Sequence, residues 1–316
     1  MSLLYNKYSL QSITQFSQVI NYLFSESRQD LRKLIFKTSR KVNDYFRKLF
    51  FLVTFVARLT NIGDMRKLTT MILLSFFLLS CTEAKVKEYR LEVVAEYPHD
   101  RESYTQGLFF HEGQMYESTG QYGKSTFRIV DLESGNALKR LDFDKKYFLE
   151  GSVIFGENLY ILTWDTKIAF VYDAETLEYK SSWTYPREGW GLTTDGKQLI
   201  ASDGSATLFF MDENFGLKRR QIVTLNGQPV RYLNELEYID GKIWTNVYTY
   251  DEILIINPKD GKVEGIIDCR NLLPKKLRTV TTDVLNGIAF NPEDGKIYIT
   301  GKNWPKLYEI KITEKK

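Results

Sequence analysis

From about residue 89 onward the chain sets short apolar runs between polar turns at nearly even spacing. Gln106-Gly107-Leu108-Phe109-Phe110 runs into Glu112-Gly113, and Glu150-Gly151-Ser152-Val153-Ile154-Phe155 into Gly156-Glu157-Asn158. Trp190-Gly191-Leu192-Thr193-Thr194 precedes Asp195-Gly196, Glu235-Leu236-Glu237-Tyr238-Ile239 precedes Asp240-Gly241, and Asn286-Gly287-Ile288-Ala289-Phe290 precedes Asp294-Gly295. Asp-Gly and its relatives supply the positive φ that two-residue hairpin loops need, so each run predicts a strand entering a hairpin. Further strands follow, such as Leu159-Tyr160-Ile161-Leu162 and Ala169-Phe170-Val171-Tyr172, and then a turn such as Asn257-Pro258-Lys259-Asp260-Gly261.

The unit recurs about every 40 to 51 residues, the length of a four-stranded propeller blade. Five units fit after Gln106, but the last ends at Leu307–Ile312 with no fourth strand. Tyr89–Val94 alternates like a strand and has no unit of its own. The fold class expected is therefore all-β: a five-bladed β-propeller over residues 89–313, closed by an N-terminal strand that completes the last blade and hides its edge. A β-sandwich is the alternative, and it does not require so regular a repeat.

Composition agrees, with 20 Tyr and 20 Phe in 316 residues and few helix-periodic stretches past residue 85. Charge is uneven. Residues 1–64 carry ten Lys/Arg against four Asp/Glu, whereas residues 82–316 have a net charge of −5. An acidic body gives no reason to expect nucleic acid as a partner. Two cysteines, Cys81 and Cys269, cannot build a disulfide framework. With only His99 and His111 and no HExxH or CxxC spacing, a zinc hydrolase is excluded as a reading. No metal is expected at the site and no cofactor is required. Acidic loops at Asp283 and Asp294 leave open a structural calcium.

The stretch from Met65, MRKLTTMILLSFFLLSC, has a basic start, an apolar run from Met71 to Leu79 and a small residue before Cys81. This is the layout of a secretory signal, too short to span a bilayer as a mature helix. Leu78-Leu79-Ser80-Cys81 resembles a lipobox, so residues 65–81 are read as a lipoprotein-type signal with Cys81 as the lipidation site. A plain cleaved signal is the alternative. Residues 82–88 are read as a linker. Residues 1–64 are an extension of uncertain role, and Met65 is read as the start of the protein. The expected localisation is the cell envelope, with an acyl anchor holding an exported monomer at a membrane.

In a propeller the first strand of each blade lines the central channel. Gln106, Glu150, Trp190, Glu235 and Asn286 fall at nearly the same point of that strand, so they are expected to ring one mouth of the channel. Four are followed by glycine, which close packing at the axis explains; inward amides and carboxylates are not so explained. A second ring is expected about 14 to 16 residues on, at Trp164, Tyr248 and Lys302. Aromatic faces, a carboxylate, an ammonium and amides together suit a small polar or cationic ligand.

Six motifs, Tyr97-Pro98-His99-Asp100, Tyr104-Thr105-Gln106-Gly107-Leu108, Phe148-Leu149-Glu150-Gly151, Asn234-Glu235-Leu236-Glu237-Tyr238, Leu285-Asn286-Gly287-Ile288-Ala289 and Thr300-Gly301-Lys302-Asn303-Trp304-Pro305, occur in this order. Over residues 90 to 312 the chain resembles the glutamine cyclotransferase family of the plant-latex and bacterial type. The resemblance implies that N-terminal glutaminyl peptides are converted to pyroglutamate with release of ammonia. It implies Glu150 as the proton-transfer group, with Lys302 and Asn234 also catalytic. Gln106, Tyr104, Phe148, Trp164, Trp190, Tyr248 and Asn286 are then expected to line the substrate site. Tyr248 departs from the pattern, since plant members carry tryptophan there. A non-catalytic propeller that binds a peptide or small polar ligand at the same mouth is the alternative function.

Overall fold

The structure, a computed structural model, describes residues 85–315. The signal reading, the lipidation site Cys81 and the extension 1–64 lie outside the described residues. Among those described there is no α-helix, only a 3-10 turn at Lys275–Leu277, and no helix long and apolar enough to cross a membrane.

The described chain is a succession of antiparallel meanders. The first holds β1 (Lys87–Pro98) apart and runs β2 (Thr105–His111), β3 (Gln114–Thr119), β4 (Thr126–Val130) and β5 (Ala137–Asp142) as one four-stranded sheet. A second sheet consists of β6 (Leu149–Phe155), β7 (Asn158–Thr163), β8 (Ile168–Asp173) and β9 (Tyr179–Thr184). A third has β10 (Leu192–Thr194), β11 (Leu199–Ala201), β12 (Thr207–Met211) and β13 (Leu217–Ile222). A small hairpin, β14 (Thr224–Leu225) and β15 (Gln228–Pro229), leads on to β16 (Leu233–Ile239), β17 (Lys242–Val247), β18 (Glu252–Ile256) and β19 (Val263–Asp268). The chain ends with β20 (Leu285–Asn291), β21 (Lys296–Gly301) and β22 (Lys306–Glu314).

The predicted hairpin turns are present with their physical signature. Glu112 (φ 48°) and Gly113 (φ 71°), and again Asp240 (φ 48°) and Gly241 (φ 78°), take the paired positive φ of the turn that matches strand twist.

β1 is longer than the strand expected from the sequence. It pairs antiparallel with β22 from Tyr89 to Pro98, so it lies beside the last strands as foreseen. Its first residues, Lys87–Arg90, also pair in parallel with β19, which fuses two meanders into one eight-stranded sheet, β16-β17-β18-β19-β1-β22-β21-β20. The linker 82–88 therefore does not run as far as residue 88.

Exposure is graded within each meander. β2, β6 and β16 are buried on both faces for nearly their whole length, whereas β5 and β9 are largely exposed. The first strands touch one another in cyclic order, β2 to β6, β6 to β10, β10 to β16, β16 to β20 and β20 to β2. Apolar cores fill the gaps between neighbouring sheets. Phe109, Tyr116 and Phe127 pack against Ile154, Leu159 and Phe170, and Val153, Tyr160 and Val171 pack against Leu192, Leu199 and Phe209. The same holds for Ile200 and Phe210 with Leu233 and Ile243, for Trp244 and Ile253 with Ile288 and Ile299, and for Leu108 and Met115 with Ala289 and Tyr298. The fold is all-β and propeller-like, held by apolar burial between sheets.

Candidate active site

The site begins with a defect repeated in the first strands. Register slips between Thr105 and Gly107, Leu149 and Ser152, Leu233 and Leu236, and Leu285 and Ile288. Each slip is a β-bulge, which re-aims a side chain that regular pleating would hold against the neighbouring sheet. The residues released at equivalent points are Gln106, Glu150, Asn234 and Asn286. Glu235 is not the equivalent residue, contrary to the alignment by turns; it occupies the place that Gly107, Gly151 and Gly287 take elsewhere.

That one-residue correction separates two kinds of carboxylate. Glu235 is fully buried, and its oxygens accept the backbone N–H groups of Leu108 (3.4 Å) and Ile288 (3.0 Å), so it ties two other first strands across the axis. Glu150 accepts instead from a side chain, Gln106 Nε2, at 3.1 Å. Asn286 Nδ2 donates to Thr105 O (2.9 Å) and Gln106 Oε1 (3.3 Å), which fixes the Gln106 amide so that its N–H2 end faces Glu150. Asn286 is fully buried and acts behind Gln106.

The bulges leave backbone groups that neighbouring sheets satisfy. Ser118 donates to the Glu150 carbonyl (2.6 Å) and Ser202 to the Asn234 carbonyl (2.7 Å), while Asn246 Oδ1 accepts from Gly287 N (2.9 Å). Asn234 Oδ1 and Asn286 Oδ1 are buried acceptors with no protein partner among the described residues. A buried polar atom left open costs about 1–3 kcal/mol, so a donor that reached either oxygen would be held there.

The second-strand ring forms as expected. Trp164, Tyr248 and Lys302 each directly follow the end of a second strand and donate backbone N–H to Phe148 O, Tyr232 O and Val284 O. Lys302 is buried, and its ammonium lies 4.7 Å from the centre of the Tyr104 ring and 5.3 Å from that of Tyr248. Tyr104 is held in turn by a 2.8 Å bond from its hydroxyl to Asp283 Oδ2. Phe148 packs edge-on against Tyr104, Tyr122 and Trp164, and Trp190 against Tyr248, closing an aromatic wall.

Burial pushes Glu150 well above the usual carboxylate range; the Lys302 charge opposes the shift and the Glu188 charge adds to it. Burial likewise depresses Lys302, against the pull of Glu150 and Asp283. A carboxyl with a raised pKa in the field of an ammonium with a lowered one is a pairing that gathers at functional sites.

The sequence reading put the lining residues together at this mouth, with Asn286 directly behind. It wrongly counted Glu235 in the ring, since Glu235 is spent on backbone N–H groups of β2 and β20. It missed Tyr122, Asp283 as the partner of Tyr104, and Glu188. Glu188 Oε2 accepts both indole N–H groups, from Trp164 at 2.9 Å and Trp190 at 3.2 Å. No repeat position or motif marks it; only its place two residues before Trp190 could have drawn notice.

No group of three or more His, Cys, Asp or Glu side chains fit for a metal occurs among the described residues. Asp283 is engaged by Tyr104 and by Val284 N (2.8 Å), and Asp294 by Lys296.

Comparison with known proteins agrees with the geometry. The family model described as glutamine cyclotransferase matches residues 68–312. A curated glutaminyl-peptide cyclotransferase of Arabidopsis thaliana is 45% identical over 231 residues, covering 71% of this chain and 72% of the plant protein. The crystal structure of Myxococcus xanthus glutaminyl cyclase superposes with a TM-score of 0.69 at 34% identity, covering 73% of this chain and 100% of that one.

Proposed function

Because the chain belongs to the glutamine cyclotransferase family, we infer that its mouth residues carry out the cyclisation as follows. The activity is that of a glutaminyl-peptide cyclotransferase, forming pyroglutamate from N-terminal glutamine with release of ammonia. The α-amine attacks the side-chain amide carbon of the same residue, so holding glutamine folded supplies much of the rate. The nitrogen that attacks must shed protons and the nitrogen that leaves must gain them. Glu150 takes a proton from the first and hands it to the second, a task suited to a carboxylate raised towards neutral pH. Gln106 steers one oxygen of Glu150 and leaves the other for the proton.

Lys302 faces the oxyanion that forms on the amide carbon. Set over two aromatic rings, its charge acts with little screening. The open Asn234 Oδ1 accepts from the carboxamide N–H2. Trp164, Trp190, Phe148, Tyr104 and Tyr248 pack about the glutamine side chain, and Asn286 serves by fixing Gln106. As written, the reaction balances with no cofactor. The observation that carries this reading is the buried trio of Glu150, Gln106 and Lys302, with the carboxylate bonded by an amide and the ammonium set over two rings with no ion pair among the described residues.

The test is ammonia release from a Gln-initiated dipeptide. Glu150→Gln is expected to lower kcat by about 10²- to 10⁴-fold with the fold intact. Turnover that survives this substitution removes Glu150 from the mechanism.

The same reading takes the fold as a five-bladed propeller over residues 89–313. The cyclic contact of the first strands and the placement of β1 beside β22 support it. It also takes the protein as an exported lipoprotein acylated at Cys81 and facing the cell envelope, on the layout of residues 65–81. Labelling cells with a clickable palmitate analogue checks this, because label must vanish in Cys81→Ser.

A further inference from the structure

An N-terminal glutamine arrives as an α-ammonium, and the mouth must hold that charge beside a lysine. We propose that Glu188 is the carboxylate that binds the α-ammonium, with Trp164 and Trp190 as the aromatic sides of its pocket. This rests on the cyclisation reading and names the group that selects a free N-terminus.

Beside Asp165, which is taken up by the Tyr122 hydroxyl, three carboxylates border the wall of rings. Glu150 is buried behind Gln106 and is the proton carrier. Asp283 spends one oxygen on the Tyr104 hydroxyl and the other on Val284 N, on the Lys302 side of the mouth. Glu188 differs from both. It is half-buried, and a single oxygen, Oε2, takes both indole N–H groups. No group among the described residues bonds its Oε1.

The loop that carries Glu188 is seated firmly. Gly189 N donates to Thr163 O at 3.0 Å, and a side chain at residue 189 would stand 2.8 Å from that carbonyl, so only glycine lets the loop lie against β7. Trp190 N donates to Ser202 O at 3.3 Å. The carboxylate is therefore fixed from both directions, by its loop and by two indoles, and presents one free oxygen between aromatic groups. An ammonium gains there from a charge-assisted hydrogen bond. The charge of Glu188 is also felt at Glu150, which puts the docking oxygen within electrostatic reach of the proton carrier.

The chemistry balances from the ammonium form. A C–N bond forms between the α-nitrogen and the side-chain carbonyl carbon, and the bond from that carbon to the amide nitrogen breaks. One proton leaves the α-ammonium before attack, freeing the lone pair that forms the bond, and a second leaves after it; the departing nitrogen gains two, so an ammonium enters and an ammonium leaves.

Glu188→Gln tests the proposal, because Gln Oε1 can still accept both indole N–H groups while the charge is lost. The expected result is a KM for a Gln-initiated dipeptide raised about tenfold or more, with kcat changed far less. Glu188→Ala, which also frees the indoles, should lower kcat as well. Titration of indole fluorescence with butylammonium and with pentanamide gives a reading independent of turnover. Butylammonium binding should weaken about tenfold in Glu188→Gln, while pentanamide binding stays as in the unsubstituted protein. Unchanged KM and unchanged butylammonium binding in Glu188→Gln would overturn the proposal and show that the carboxylate only anchors the two tryptophans. If no ammonia is released by the unsubstituted protein, the cyclisation reading fails first, and the butylammonium titration still decides whether Glu188 binds an ammonium.

Discussion

Burial moves Glu150 and Lys302 in opposite senses, and a working enzyme should report both. The dependence of kcat/KM on pH is expected to be a bell. Its acidic limb, set by loss of the Glu150 proton, lies above the ordinary carboxylate value of 4.5. Its alkaline limb, set by neutralisation of Lys302, lies below 10.5. Lys302→Arg should carry the alkaline limb out of the measurable range, since a guanidinium does not titrate there; an unmoved limb would assign it to another group. At this scale the sequence showed which residue types gather at the mouth, because a carboxylate, a lysine and amides at repeated positions stand out against apolar neighbours. It did not show the order of contact. That Asn286 acts through Gln106, or that Tyr104 answers to Asp283, depends on rotamers and on loops with no repeat. Glu188 was invisible for the same reason, because its meaning comes from two indoles that only the folded chain brings together.

The bulged first strands explain why Gln106, Glu150 and Asn286 are followed by glycines. A methyl at residue 151 would strike Leu192 N and come within 2.8 Å of the Trp190 carbonyl, and Gly151 N itself donates to that carbonyl at 2.7 Å. Neighbouring strands approach too closely there for any side chain that does not point along the axis. Gly151→Ala is expected to destabilise by about 2 kcal/mol and to lower activity more than stability, because the shift falls beside Glu150. Urea denaturation followed by ammonia-release kinetics checks both parts, and wild-type turnover in a destabilised variant would argue that the strand absorbs the methyl elsewhere. Element placement was legible because the turns carry their own chemistry. Alignment within the fourth unit was not, since counting back from Asp240-Gly241 landed on Glu235. Only the register, with Leu233 opposite Val247, shows Asn234 to be the counterpart of Glu150.

Across the whole molecule, buried carboxylates of two kinds set opposing pH dependences. Burial raises Glu237 to about 8, against the bonds it accepts from Phe290 N and other donors, and raises Glu235 well above 4.5 with the Glu237 charge adding to the shift. A folded pKa above the unfolded one means stability is intact below about 4.5 and is lost as pH climbs to about 8. Elsewhere, His99 Nε2 meets Glu117 at 3.0 Å, and Ser103 and Thr105 also donate to Glu117. Burial alone would raise Glu117 and lower His99, but each charge overrides this for the other, leaving Glu117 lowered and His99 raised. Stability from Glu117 is thus lost as pH falls below 4.5, and that from His99 as pH rises through its raised value. Thermal stability should peak on the mildly acidic side and decline towards pH 8.5. Glu237→Gln should flatten that decline in a calorimetric series, and an unchanged slope would place the titration elsewhere.

The pairing of β1 with β22 also has a consequence in time. In the eight-stranded sheet, β1, from the start of the described residues, lies between β19 and β22, so the sheet joins the two ends of the described chain. Its cyclic neighbour contacts, together with Lys302, cannot form until the final segment has been made. A chain emerging in order can assemble the intervening meanders one by one, but it has neither a closed edge nor a complete catalytic mouth before then. Completion of the mouth is therefore a late event, and any nascent chain cut short before β22 should be inert and should expose the edge of β1 that β22 covers.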